Sequence, residues 1–421
     1  MLDPSTSSSF DPEPFDRGPF DPEPSVPVAA WTSPSAHRVD PRFTAVAAAF
    51  QALYRKPRDG GGALAVYLHG QPVLDVWAGF ADVETGRPWR SDTMAMSFST
   101  TKGVTSTVVH RLIAKGVLDV NEPVATYWPA FAARDKHDLL LADVMTHRSG
   151  LHRVRGIAEA SGDLLDHRRM AATLAGRRTE DTRGVPAYHA MTYGYLIAAI
   201  VEGATGRPFE EVLTDEIRRP LGLDGLFISA PVDQHERIAP FFETIAPFGM
   251  SLSAVGHWVK KIDRFRPFVD ALLPHGFDEL MNSPALWQAT IPAANGMFTA
   301  RSLAKMYGAL ANDGVMDGEQ FLPSSVLQEA GRVRTKERDR VLGFRMRWRL
   351  GYHQAFTADR NNQPRMAFGH YGLGGSGAFA DPETGLSMAF VTNKLGRGST
   401  PVADFRLPKL AAIALEAVRQ P

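Results

Sequence analysis

A serine followed three residues later by a lysine occurs at Ser99-Thr100-Thr101-Lys102, within SFSTTKGVTSTVVHRLIAKGVLDV, and again at Ser302-Leu303-Ala304-Lys305. The pairing has a definite chemical use. A serine hydroxyl is a weak nucleophile and needs a base; on a helix, an amine one turn away shares its face and lies within reach. The amine serves only if burial strips its proton near neutral pH. Helical geometry separates the two pairs. At about 100° per residue, Lys102 projects between Val109 and Ile113, on the edge of an apolar stripe that includes Val108 and Leu112. Lys305 instead projects roughly 150° from the stripe of Leu303, Met306, Tyr307 and Leu310 and faces water, where a lysine keeps its proton. Ser99 is therefore the candidate nucleophile, and Ser302 a helix-start residue.

Other groups with chemical potential carry less. Gly-x-Ser-x-Gly, the other common serine-hydrolase signature, is absent; Gly385-Leu386-Ser387-Met388-Ala389 lacks the second glycine and lies in an expected strand. His147 and His152 flank HRSGLH with no carboxylate close by, so loop hydrogen bonding is expected rather than a metal site. The basic run 332–350 alternates from residue 344 onward. Phe344, Met346, Trp348 and Leu350 fall on one face and Arg345, Arg347 and Arg349 on the other, which predicts a half-buried strand with a solvated arginine face.

The elements that must position Ser99 are legible at both ends of the chain. FTAVAAAFQALYRK sets Phe43, Ala47, Phe50 and Tyr54 at helical spacing, and ALAVYLHG (63–70) and QPVLDVWAGF (71–80) read as two strands joined at Gly70-Gln71-Pro72. Near the other end, 366–372, 376–381 and 386–393 read as strands with a turn at DPETG, followed by a helix over roughly 406–418. One antiparallel sheet built from both termini follows. An α/β lobe (about 37–125 and 286–421) then encloses an inserted helical lobe (about 126–285), so the fold class is α+β. Residues 1–36, where FDPEP occurs at 10–14 and 20–24, are too polar and Pro-rich to fold alone and are expected to form a flexible tail.

Composition limits the function. Lys+Arg and Asp+Glu both number 46 in 421 residues, so the net charge is zero and a dedicated nucleic-acid binder is excluded. The absence of cysteine removes thiol nucleophiles, disulfides and cysteine–zinc sites. No apolar run of 18 residues or more is present, and MLDPSTSSSFDPEP lacks the pattern of a signal peptide, so a cytoplasmic protein without membrane partners is expected. Oligomeric state is not legible.

Taken together, MSFSTTKGVTSTVVHRLIAKGVLDVNEPVATYWPAF, LADVMTHRSGL, YHAMTYGYLIAAIVEGATGRPFEE, NGMFTARSLAKMYGALANDG and FGHYGLGGSGAFADPETG resemble the serine β-lactamase/penicillin-binding-protein superfamily. The resemblance is nearest to its esterase branch, the family VIII carboxylesterases, which look like class C β-lactamases. It implies a β-lactamase/transpeptidase-like fold with Ser99 and Lys102 opening a helix between the lobes. The family's Tyr-x-Asn matches Tyr188-His189-Ala190, which makes Tyr188 the proton relay and leaves Tyr193 and Tyr195 in a core helix. The Lys102 ammonium is expected to favour the Tyr188 phenolate. The family's Lys-Thr-Gly matches His370-Tyr371-Gly372, which implies substrate contact at His370 and Gly372. The oxyanion hole is then the backbone N–H groups of Ser99 and Leu373.

The two departures favour esters. Loss of the lysine removes a cation for a β-lactam or peptide carboxylate, and loss of the asparagine removes a partner for an amide side chain. The resemblance thus implies a cofactor-free serine carboxylesterase, without metal, acting on small short-chain esters through an acyl-serine. An acyltransferase, a β-lactamase or DD-peptidase, and a non-catalytic cell-wall ligand sensor are the competing expectations.

Overall fold

The computed structural model describes residues 38–158, 160–242, 266–272, 274, 276–356, 366–394 and 404–419. The expected tail, 1–36, lies outside them.

The expected strands form one antiparallel sheet. We number its strands β1 (Arg38–Val39), β2 (Gly61–Leu68), β3 (Gln71–Asp82), β4 (His353–Gln354), β5 (Phe368–Tyr371), β6 (Gly377–Asp381) and β7 (Leu386–Thr392). Their spatial order is β1-β3-β2-β7-β6-β5-β4, with Arg87–Pro88 pairing on β3. The central pairing joins the two ends of the chain, running from Leu68 opposite Leu386 to Gly62 opposite Thr392.

Side-chain alternation along these strands explains the layers, because successive residues point to opposite faces. Leu64, Val66 and Leu68 of β2, with Met388 and Phe390 of β7, face one core. That core is closed by α1 (Thr44–Gln51), through Val46, Ala47 and Phe50, and by the C-terminal helix, through Leu407, Leu410 and Leu415. The other face is mostly small: Ala63, Ala65, Ala378, Ala380 and Ala389. Small side chains let a helix approach closely, and the helix Ala300–Ala311 lies there, burying Leu303, Met306, Tyr307 and Leu310. Its Lys305 pairs with Asp317 at 2.7 Å, while Ser302 is bound by the capping Thr299. The second Ser-x-x-Lys is thus a helix start and an ion pair.

Between 124 and 288 the described elements are helical, apart from the short strands Leu226–Phe227 and Ile238–Ala239. These join Met94–Met96 and Met297–Phe298 in a small second sheet. One expectation fails. Residues 344–350 form no strand: Phe344 is 43% exposed, Arg347 has a φ of +50°, and Arg349 is fully buried. Arg349 donates to the carbonyls of Gly331, Arg347 and Met366. The alternation did mark the buried residues Met346, Trp348 and Leu350, but an irregular segment rather than a ladder buries them.

Candidate active site

The chain enters the site from the small sheet. After Met94–Met96 it turns at Phe98, whose φ of +44° lies in the left-handed region that costs a residue with a Cβ about 1–2 kcal/mol. Burial offsets that cost: Phe98 packs edge-on against Phe241 with ring centroids 5.3 Å apart. The turn is fastened on both sides. Ser97 N–H donates to Gly296 O, and Gly296 N–H donates to the Thr101 hydroxyl, which donates to Phe98 O. Ser99 is thereby held at the N-cap of the long helix Thr100–Ala114, here α2.

This helix is not the one-sided stripe that the apolar residues suggested. Every residue from Thr100 to His110 is buried. The serine and threonine hydroxyls make this tolerable by bonding backward and across. Ser106 reaches Lys102 O and Gly351 O and meets the Tyr193 hydroxyl at 2.7 Å; Thr107 reaches Gly103 O and meets the Tyr352 hydroxyl at 2.8 Å. Tyr193 and Tyr195 are therefore core residues, the latter donating to Leu164 O.

Ser99, Lys102 and Tyr188 meet at one point. Lys102 Nζ lies 3.1 Å from Ser99 Oγ, 2.5 Å from Ala190 O and 2.8 Å from Ala293 O. The Tyr188 hydroxyl donates to Ser99 Oγ at 2.7 Å, and Lys102 Nζ stands 5.0 Å from the centre of the Tyr188 ring. The lysine is completely buried, and desolvation holds its pKa well below the usual 10.5. A neutral amine has two N–H bonds and one lone pair. With the N–H bonds donated to the two carbonyls, the lone pair is left for the Ser99 hydroxyl proton.

Burial also raises the Tyr188 phenol well above its usual 10, against the opposing effect of its hydrogen bond to Ser99. The phenolate that a Lys102 ammonium was expected to favour is thus not the resting form. Burial disfavours both charges and so pushes the pair toward a neutral amine beside a neutral phenol.

His370 stands near this centre on β5. Its ring is 6.3 Å from that of Tyr188, nearly parallel, and 4.7 Å from His353. Desolvation, the largest cause, holds its pKa well below the usual 6.5, so the ring is uncharged near neutral pH. With Nδ1–H on Tyr371 O, Nε2 is buried without a partner among the described residues. The next turn approaches Ser99 closely. A Cβ on Gly372 would sit 2.2 Å from Ser97 O, so only glycine fits there. Gly372 N–H donates to Ser376 O, and Ser376 O also accepts from the Thr100 hydroxyl, which fastens the turn to α2. Among the described residues, the N–H groups of Ser99 and Leu373 have no hydrogen-bond acceptor.

Several members of the site carried no usable signal in the sequence. Trp348, read only as one face of a strand, stacks on Tyr188 at 5.4 Å and 13°. His147 is the wall behind both, with ring centroids 4.2 Å from Trp348 and 5.1 Å from Tyr188; its Nδ1 accepts from His189 N–H. His152 meets the Thr182 hydroxyl at 3.3 Å, the loop role expected of it. Ala190 stands where the family has asparagine and supplies Lys102 with a backbone carbonyl instead. No cluster of three metal-ligating side chains occurs among the described residues.

The same fold appears in proteins of known kind. The beta-lactamase family model matches residues 46–413. The esterase/beta-lactamase LipL of Mycobacterium tuberculosis is 41% identical over 382 residues, covering 87% of this chain and 86% of that protein. The esterase EstB of Burkholderia gladioli is 26% identical over 88% of this chain and 96% of its own. Among solved structures, a family VIII carboxylesterase superposes with a TM-score of 0.78 at 31% identity, covering 90% of this chain and 98% of that one. A penicillin-binding protein homolog from Caulobacter crescentus gives 0.76, also at 31% identity and with the same coverage. The chain belongs to the beta-lactamase family, in the esterase branch of the serine β-lactamase/penicillin-binding-protein superfamily.

Proposed function

We propose that the protein is a carboxylesterase that cleaves small, short-chain esters through an acyl intermediate on Ser99. That it is a serine hydrolase acting on esters rests on its family and relatives. The reading of the mechanism rests on one observation: the Ser99 hydroxyl lies between a buried lysine amine and a buried phenol.

The steps follow from the protonation states. Ser99 Oγ bonds to the ester carbonyl carbon as its proton passes to Lys102 Nζ. The oxyanion is received by the N–H groups of Ser99 and Leu373, each such donor contributing about 3 kcal/mol in comparable sites. Collapse breaks the bond to the alkoxy oxygen. Tyr188 supplies the proton that this oxygen needs and recovers one from the Lys102 ammonium, so the alcohol leaves and the amine is neutral again. Water then adds to the acyl carbon, giving its proton to the same pair. The Ser99 Oγ–carbon bond breaks, the serine regains its proton and the acid departs. The net reaction is ester plus water to acid plus alcohol.

Gly372 and the neutral His370 line the alcohol or acyl group without offering a cation. This supports esters over β-lactams, whose carboxylate gains nothing from an imidazole held uncharged by burial. The test is labelling with a fluorophosphonate, located by peptide mass, alongside turnover of p-nitrophenyl butyrate and nitrocefin. A single adduct on Ser99, fast ester turnover and slow nitrocefin turnover are expected, with Ser99→Ala silent in all three. Undiminished ester hydrolysis by Ser99→Ala would sink the proposal. Fast nitrocefin turnover would make the chain a β-lactamase.

A further inference from the structure

Among the described residues, Asp339 is the carboxylate built into the back of the site. It lies in RTKERDRVLGF, a stretch whose charges are mostly basic, and only 1% of it is exposed. One oxygen accepts from the N–H groups of Tyr188 at 3.2 Å, Val341 at 2.9 Å and Leu342 at 2.9 Å. The other accepts from Trp348 Nε1–H at 3.0 Å. Four N–H donors converge on it, which suits a group that only accepts. The Trp348 indole, so oriented, is the one that lies flat against Tyr188. The loop itself is tied to the same segment a second time, through Arg340 N–H on Pro186 O.

We propose that Asp339 is a positioning residue for Tyr188, fixing its backbone directly and its ring through Trp348 so that the phenol stays on Ser99. This rests on reading Tyr188 as the proton donor to the leaving alcohol. The carboxylate touches no reacting atom. Its charge behind the ring also helps keep the phenol protonated, in the same direction as burial. Geometry alone, however, carries the assignment. A phenol released from this support would leave Ser99 and Lys102 in place but lose its aim at the departing oxygen.

The consequence is a dependence on leaving group, which a general loss of structure would not produce. A p-nitrophenolate departs without a proton, whereas an ethoxide does not. Comparison of kcat/KM for p-nitrophenyl butyrate and ethyl butyrate therefore isolates the proton donor. In Asp339→Asn the amide still accepts from three backbone N–H groups but turns an N–H₂ toward the indole N–H. The ratio of the two kcat/KM values should rise about tenfold in this variant, within the range for general acid catalysis, with KM nearly unchanged. In Trp348→Phe, which keeps the carboxylate's backbone bonds, it should rise several-fold. The double variant removes the donor–donor conflict and should recover part of what Asp339→Asn loses, a coupling that a double-mutant cycle reads directly.

Tyr188→Phe is the reference. If it changes the ratio and the folded Asp339 and Trp348 variants do not, the positioning role is wrong while the mechanism stands. If Tyr188→Phe itself leaves the ratio unchanged, the proton-donor reading fails first. Should Asp339→Asn not fold, as judged by its melting transition, Trp348→Phe and the double variant decide: an unchanged ratio in both overturns the proposal.

Discussion

At the scale of single residues, the chemistry turns on what burial does to two protons. Among the described residues no carboxylate pairs with Lys102, and the hydrogen bonds of its Nζ go to two carbonyls and to Ser99. Its depressed pKa has two measurable consequences. In the profile of kcat/KM, activity should fall as pH is lowered through the Lys102 pKa, because the protonated amine cannot accept from Ser99. Replacement by methionine should cost about 10³-fold in kcat/KM at any pH, a typical loss for a general base. The second consequence concerns stability. Between its depressed folded pKa and the ordinary 10.5, the unfolded chain binds a proton here that the folded chain does not, so this group's contribution to stability increases with pH across that window. Compared with Lys102→Met, the parent should therefore gain ground as pH rises from 7 toward 10, and melting temperatures of the two measured across that window check the sign. A constant difference would mean that Lys102 carries its charge in the fold.

At the scale of elements, the site is a meeting of three backbones that glycine permits. Gly372 lets the end of β5 lie against Ser97, and Gly103 sits where a Cβ would come within 1.9 Å of the Tyr307 hydroxyl. Gly372→Ala should destabilise the protein by about 1–3 kcal/mol, the usual cost of overpacking, and lower kcat more than KM, since the turn carrying Leu373 must move away from the nucleophile. Denaturant titration and steady-state kinetics with p-nitrophenyl butyrate test both parts. Legibility in the sequence divides along the same line. Local periodicity marked α1, the five longer strands of the sheet and the C-terminal helix because each buries a regular stripe or alternates on a pleat. It also picked Ser99 over Ser302, since the direction of a lysine on a helix is a local property. It could not show that α2 is buried on all sides, because its threonines and serines read as polar and only their partners, Tyr193, Tyr352 and Gly351, make them interior. Nor could it find Asp339, His147 or the carbonyl of Ala293. Their roles depend on which distant segments are folded over them, and residues 344–350, with an outward Phe344 and an inward Arg349, break the alternation that was the only cue.

At the scale of the whole molecule, the sheet closes the chain on itself, with α1 and the C-terminal helix side by side over one face. Leu407, Leu410 and Leu415 are buried there against strands from both halves. Burying a leucine fully contributes about 1.5–3 kcal/mol, and the net stability of a domain is only about 5–15 kcal/mol. A chain ending before residue 404 should therefore fail to give a soluble, cooperatively melting enzyme, whereas Leu410→Ala alone should fold and lose about 2–5 kcal/mol. Recovery of full activity from the truncated chain would show that the helix is an accessory. The pairing of β2 with β7 also sets a timetable for synthesis. The segment bearing Ser99 leaves the ribosome early, but Leu68 must wait for Leu386, and the turn at Gly372 arrives with the same late stretch. A growing chain therefore holds an unarmed serine until residues 386–392 have been made. Ester hydrolysis should switch on in one step once β7 and the helix Arg406–Arg419 are free to fold, rather than growing with the length of the nascent polypeptide.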